Sequence, residues 1–319
     1  MVKRNLIIAL IVMIYIYLFT NCKDDPVTPA PPVFPEITGE YLDQTPPGNT
    51  PVIFAPGIIS TEKNECSLAA YPGGNELYYL ILQTNNNVVT TSIFETKNSN
   101  GSWSAPEVIA FSGVYEDGYQ AIHPDGSRFY FQSNRPIDPS ESEFEYNIWY
   151  ADRVGDSWSE PKSMGKPING LNHTSGPSVT ANGTMYFTIM TIGGKSDIYR
   201  SELINGQYQT PEKLPNNVNK GRQQFDSYIA PDESYLIYCG YERADSYGST
   251  DLYVSFRDNN GSWSNEINLG ASINTINTEG SVTITADGKY IFYGRYNDDA
   301  SKGLDIYWFS ADYIQSLRP

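Results

Sequence analysis

From residue 50 onward, short apolar runs alternate with turns rich in Gly, Pro, Asp and Asn, and the alternation repeats. The segments "YPGGNELYYLI" (71–81), "HPDGSRFYFQS" (123–133), "TANGTMYFTIM" (180–190), "APDESYLIYCG" (230–240) and "TADGKYIFYGR" (285–295) share one design. In each, a turn reverses the chain into a strand that is almost continuously apolar. A strand of that kind has both faces covered, as in a sheet stacked between two others.

Two further markers recur in the same order. An aromatic follows a Gly, Asp or Asn turn in "GSWSAP", "DSWSEP", "GQYQTP" and "GSWSNE", placing Trp103, Trp158, Tyr208 and Trp263 at intervals of 55, 50 and 55 residues. A short strand appears as "SIFE" (92–95), "NIWY" (147–150), "DIYR" (197–200), "DLYV" (251–254) and "DIYW" (305–308). The turn position itself, Gly74, Gly126, Gly183, Glu233 and Gly288, recurs at 52, 57, 50 and 55 residues. Three markers in one order at one period of about 50 residues predict an all-β fold, a β-propeller of four-stranded antiparallel blades. Asp197, Asp251 and Asp305, which open third strands, are expected to cap loop amides, and the tryptophans to pack between blades.

Five turn-and-strand units stand against four aromatic units, so the last repeat lacks its outer strand. The segment "TPVIFAPGIISTEKNE" (50–65) aligns with "APEVIAFSGVYEDG" (105–118), an outer strand running into the next repeat. Residues 50–55 are therefore expected to complete the last blade beside residues 305–309, closing a ring of five and removing sheet edges. Six blades are the alternative, if an irregular segment hides another.

The start of the chain reads differently. Lys3 and Arg4 precede an unbroken apolar run from Leu6 to Phe19, too short for a membrane span of about 20 residues, and Cys22 follows. Residues 1–22 read as a signal peptide and residues 23–49 as a Pro-rich tether, with the propeller over 50–319. The 319 residues include 25 Tyr, 26 Gly and 21 Pro, a strand-and-turn composition. A formal net charge of −16 opposes nucleic acid phosphates, so no nucleic acid partner is expected. Beyond Cys22, Cys66 and Cys239 lie in different repeats and read as buried small hydrophobes.

Two resemblances add to this reading. "FTNC" with Cys22 resembles a bacterial lipoprotein signal, with Asn21 where a smaller residue is usual. "KDDP" behind it resembles the export signal of Bacteroidota-type surface lipoproteins. Together they imply lipidation of Cys22, a membrane partner through that anchor, and display on the outer face of the outer membrane, with a periplasm-facing lipoprotein as the alternative. Over residues 50–319, "PDG…YFQSNR", "DIY" and "WSEP" resemble the WD40-like, TolB-type propeller repeats of exported bacterial proteins. That likeness implies the repeat and no particular activity, and TolB's separate N-terminal α/β domain has no counterpart in the tether.

Loops leading into the first strand and loops joining strands two and three emerge on one face of a propeller, around its central channel, where convergent loops make concave surfaces. That face is the candidate ligand site, with Glu65, Glu116, Asp117, His173, Asp226 and Glu279 from the first set and Arg135, Arg243 and Arg295 from the ends of second strands. The ring suits a protein or glycan partner. Paired carboxylates there could also cleave a polysaccharide, as glycosidases on five-bladed propellers do. The same residues would recur for structural reasons if Arg and Glu pair between blades. Two histidines and no Cys/His cluster argue against a transition metal, and no Gly-rich phosphate loop or nucleophile elbow points to a cofactor. The reading is a non-catalytic recognition module, with a polysaccharide-cleaving enzyme as the alternative.

Overall fold

Gly74, Gly126, Gly183, Glu233 and Gly288 all adopt positive φ, so the recurring turn is one backbone conformation used five times. Four are Gly, which takes it without steric cost. Glu233 (φ 59°) is held by its carboxylate, which accepts from Tyr186 Oη at 2.9 Å and from Arg257. The computed structural model describes residues 34–85, 88–138, 145–170, 173–191, 193–297 and 303–319.

Each turn joins the first two strands of a blade. Blade I is Asn64–Ala70, Glu76–Asn85, Val88–Ser99 and Glu107–Val108. Blade II is Asp117–Ile122, Arg128–Ser133, Asn147–Val154 and Lys162–Ser163. Blade III is His173–Val179, Met185–Thr191, Lys195–Ser201 and Glu212–Lys213. Blade IV is Gln223–Ile229, Tyr235–Tyr241, Thr250–Phe256 and Ile267–Asn268. Blade V is Glu279–Ile284, Tyr290–Tyr296, Leu304–Ser310 and, from the far end of the chain, Val52–Ile53. Val52 lies opposite Trp308 and Ile53 opposite Tyr307, so the ring closes as five blades where the missing outer strand predicted.

The core is shared out between the blades. Second strands are buried along nearly their whole length, as their apolar runs require. The outer-turn aromatic of one blade packs on the second strand of the blade before it. Trp158 donates to Tyr78 Oη at 2.9 Å, and Trp263 stands edge-on to Tyr186. No such turn exists in blade V. Over blade IV the short helix Asp312–Ser316 takes its place, with Ile314 buried in the same cluster as Ile237 and Tyr313 donating to the Leu269 carbonyl at 2.6 Å.

The spacer expected over 23–49 is shorter than its sequence suggested, because the folded body begins at Glu36. Tyr41 and Leu42 are buried, and Tyr41 lies against Tyr290, Phe292 and Trp308 of blade V. The Trp103 backbone N–H donates to Ile37, and its indole to Gly39, from blade I. Residues 37–43 thus strap the seam at which the ring closes. Three apolar residues among prolines gave too little periodicity to reveal this. The preceding unit, residues 1–35, lies almost wholly outside the described residues, as do the signal, Cys22, Lys23-Asp24-Asp25, and segments 139–144 and 298–302 of the rim loops.

Candidate functional site: the central channel and its loop face

The innermost strand of every blade is broken by a bulge. Pairing shifts register between Cys66 and Ala69, Gly118 and Ala121, Ser175 and Ser178, Phe225 and Tyr228, and Gly280 and Thr283. One residue at each bulge has positive φ: Ser67, Tyr119, Gly176, Asp226 and Ser281. Each stands seven residues before the positive-φ turn residue of its blade. The bulge reverses the alternation of side chains along the strand. It thereby sets which residues face the channel and which face the neighbouring blade.

Against this register the predicted acids fall on three levels. Glu65, Asp117 and Glu279 occupy equivalent places two residues before the bulge, and all three are fully buried. Thr174 and Gln224 hold the same place in blades III and IV. Glu116 and His173 lie one residue further out, and Asp226 is itself a bulge residue. Sequence spacing alone could not separate these levels, because the bulge leaves no signature as strong as the Gly of the turn.

Each acid of the inner level has its own partners. Thr61 donates to Glu65 through its hydroxyl at 2.5 Å and its backbone at 3.3 Å. The Thr275 hydroxyl donates to Glu279 at 2.6 Å. Arg135 donates to Asp117 at 2.7 Å and also to the Phe111 carbonyl and Ser133 Oγ. Burial raises all three carboxyl pKa values; Arg135 offsets the effect at Asp117, and Glu279 is pushed up to about 7. Arg243 donates to Gln224 and faces Glu266 at 3.4 Å, over a Gly221 whose missing side chain leaves the guanidinium room. Arg295 lies 3.7 Å from the Tyr307 ring centroid. His173 stacks on Tyr146 at 4.7 Å, with Tyr146 donating to Glu116, and burial lowers its pKa. Among the described residues no group of three or more His, Cys, Asp or Glu gathers as a metal would require.

Asp226 differs from the others. Its carboxyl is pushed up to about 7 by burial, opposed only by bonds from Ser281, and no charged neighbour acts on it. The side chain keeps some surface because it lines a cavity of about 30 Å³ inside the channel, with Tyr119, Gln120, Gly176, Ser227, Tyr228 and Ser281. Protein surrounds that cavity, so an ion there is poorly solvated. Cys66 and Cys239 are free and buried close by, and burial raises both thiols, Cys66 to about 12.

The loop face carries a second feature. Val114 and Ile276 are each 83% exposed, Tyr247 is 51% exposed, and Tyr115 and Tyr296 also stand out. These residues lie in loops leading into first strands or at the ends of second strands. The loop bearing Tyr247 is held rigidly: Asp251 accepts from the Tyr247 and Gly248 amides at 2.8 and 3.0 Å, the capping expected of that position. Gly248 lies hard against the backbone of Thr275 and Asn277, which seats Tyr247 beside Ile276.

No family model matches the chain, and no curated protein does. Among solved structures, a glycoside hydrolase superposes with a TM-score of 0.52 at 11% identity, covering 84% of this chain and 93% of that one. TolB from Acinetobacter baumannii gives 0.46 at 18% identity, and the match covers 79% of this chain but only 56% of TolB. A GH43 endo-arabinanase from Bacillus licheniformis gives 0.47 at 10% identity over 82% and 96%. At these identities the likeness is one of fold. The chain is an all-β propeller of five blades, and the β-propeller fold, without any particular activity, is what it shares with TolB and the glycoside hydrolases.

Proposed function

We propose that this protein is a non-catalytic recognition module that binds a protein partner through its loop face, displayed on the outer membrane by a lipid on Cys22. The observation that carries the reading is the separate engagement of the acids. Glycoside cleavage needs two carboxyls about 5–10 Å apart across an open pocket. Glu65, Asp117 and Glu279 are instead fully buried, each bonded within its own seam by Thr61, Arg135 or Thr275. Glu279 and Asp226 both have carboxyl pKa values raised to about 7, in the range of a general acid, and burial accounts for both. The same face leaves Val114, Ile276 and Tyr247 standing in solvent, a pattern that suits an apolar contact. A glycan is the second reading, favoured by the exposed rings of Tyr115, Tyr247 and Tyr296, which offer stacking surfaces.

Photo-crosslinking from position 247 in intact cells tests the face. A discrete partner should be captured, and capture should fail in Val114→Ser/Ile276→Ser while the melting temperature holds. Capture indifferent to those substitutions would remove the loop face from the proposal. Labelled fatty acid should enter the wild type and not Cys22→Ala. Replacing Lys23-Asp24-Asp25 by Ala should keep the label but reduce cleavage by protease added outside the cells.

A further inference from the structure

The channel opens on the face opposite the rim loops. There the five innermost strands end, and Ala70, Pro72, Pro124, Pro231 and Ala286 surround a cavity of about 60 Å³. Its walls are apolar: Ala69, Ile122, Val179, Ile229 and Ile284. Ala286 is exposed and the three prolines are half-buried, so this mouth meets solvent. Ala121, Ser178, Tyr228 and Thr283 line both this cavity and the smaller one beside Asp226, so the two adjoin along the channel. An apolar throat thus leads to a polar end.

The polar end is supplied with acceptors and lacks donors to satisfy them. Asp226 receives only the Ser281 hydroxyl, at 3.4 Å, and the Ser281 backbone. Gln120 spends its amide N–H groups on the carbonyls of Ser67 and Tyr78, which fixes its orientation and leaves Oε1 buried without a partner. Ser227 Oγ is also buried and unpartnered. Both residues are more than nine-tenths buried and line the cavity. Buried acceptors without donors are costly. Tyr119 and Tyr228 add aromatic rings to the same walls.

From this arrangement we propose that the channel binds a primary alkylammonium group, its stem in the apolar throat and its NH₃⁺ at Asp226. An ammonium has three N–H donors, and the two carboxylate oxygens of Asp226 offer it charge-assisted acceptors, with the oxygens of Gln120 and Ser227 buried in the wall behind. A cavity of about 30 Å³ exceeds the ~10–15 Å³ needed by a water-sized group, and an ammonium is water-sized. Aromatic rings favour a desolvated cation. The carboxyl and the amine exchange charge, not covalent bonds: an ionised Asp226 meets a protonated amine. The other titratable groups around Asp226 are Tyr119, Tyr228, Cys66 and Cys239, all raised by burial and neutral near pH 7, so the bound cation is balanced by Asp226 alone. This site lies on the face away from the rim loops and stands independently of the partner proposed there.

The chemistry fits a free linear amine or a lysine side chain, and the experiment separates them. Calorimetric titration at pH 8 with n-butylammonium chloride should show binding, and n-butanol, equal in shape but neutral, should not bind. Lowering the pH to 5.5 should weaken butylammonium at least tenfold, because a proton then competes for the carboxylate. Asp226→Asn should weaken it at least tenfold at pH 8. Ala121→Leu, which narrows the throat and leaves the carboxylate intact, should do the same should the Asn variant fail to fold. Tighter binding of the peptide acetyl-Gly-Lys-Gly-amide than of butylammonium assigns the site to a polypeptide lysine, and weaker binding to a free amine. No binding of butylammonium to the wild type, equal binding of butanol, or affinity unchanged in both variants would overturn the proposal.

Discussion

Phe54 stands edge-on to Trp308, ring centroids 5.1 Å apart and planes at 70°, although the two residues come from opposite ends of the propeller sequence. Phe54 is fully buried and also meets Phe292 at 5.0 Å. The pair sits beside the register of Ile53 with Tyr307, so the last blade is held by side chains as well as by strand pairing. Tyr41 lies on the same Trp308 from the strap.

The closure should therefore carry much of the cooperativity. Phe54→Ala is expected to cost about 3 kcal/mol or more by emptying a packed aromatic site. Deleting residues 50–56 should abolish a single cooperative unfolding transition. Calorimetry of the truncated domain checks this, and a melt like that of the intact domain would refute the closure.

A second device holds each blade to its outer loop. Asn219 accepts from the Ile198 N–H at 2.8 Å and donates to the Ile198 carbonyl at 2.9 Å. Asn169 does the same for Ile148, and Asn274 for Leu252. In blade V, Ser60 meets both backbone groups of Ile306, and in blade I, Ser112 accepts from the Ile93 N–H. Each side chain stands in for a further ladder residue. Asn219→Ala should destabilise by about 2 kcal/mol in urea titration, since two buried backbone groups lose partners. Asn219→Asp should destabilise at least as much near neutral pH, because it turns a buried carboxylate oxygen toward the Ile198 and Leu214 carbonyls.

The period, the blade count and the closing strand were legible because each marker is local: a Gly turn, an aromatic after a turn, an apolar run covered on both faces. Asn169, Asn219 and Asn274 recur at the same period, each six residues after its outer strand, but the loop residues around them differ and Ser60 and Ser112 serve in the other two blades, which hid them. The bulges were hidden for another reason. Ser67, Tyr119, Gly176, Asp226 and Ser281 share a backbone conformation and no side-chain type. So the reading found Asp226 as a candidate but placed it on the rim with Glu116 and His173. Tyr119, Gln120 and Ser227 were missed, as their role follows from the bulge that turns the strand toward the channel. Only the constant distance of seven residues between bulge and turn would have signalled it.

Stability should fall as pH rises from about 4 to about 7. Asp226 and Glu279 have folded pKa values of about 7, above their ordinary carboxylate values. A raised acid favours the folded state fully below its unfolded pKa, and the advantage is lost as pH climbs through the folded value. Asp117 and Glu65 act in the same direction. His173, lowered by burial, opposes the trend below about 6.5. The melting temperature at pH 8 should lie at least about 3 °C below that at pH 5. Asp226→Asn should shrink the difference by raising the value at pH 8.

The most direct test of a non-catalytic propeller is product analysis on polysaccharides. A panel of soluble and cell-wall glycans is incubated with the purified domain, and new reducing ends and unsaturated products are measured. None is expected above the protein-free blank, including on any glycan that binds, and Glu279→Gln and Asp117→Asn should change thermal stability alone. Turnover by the wild type that disappears in either variant, with the fold intact, would contradict the reading and make the buried carboxylates catalytic.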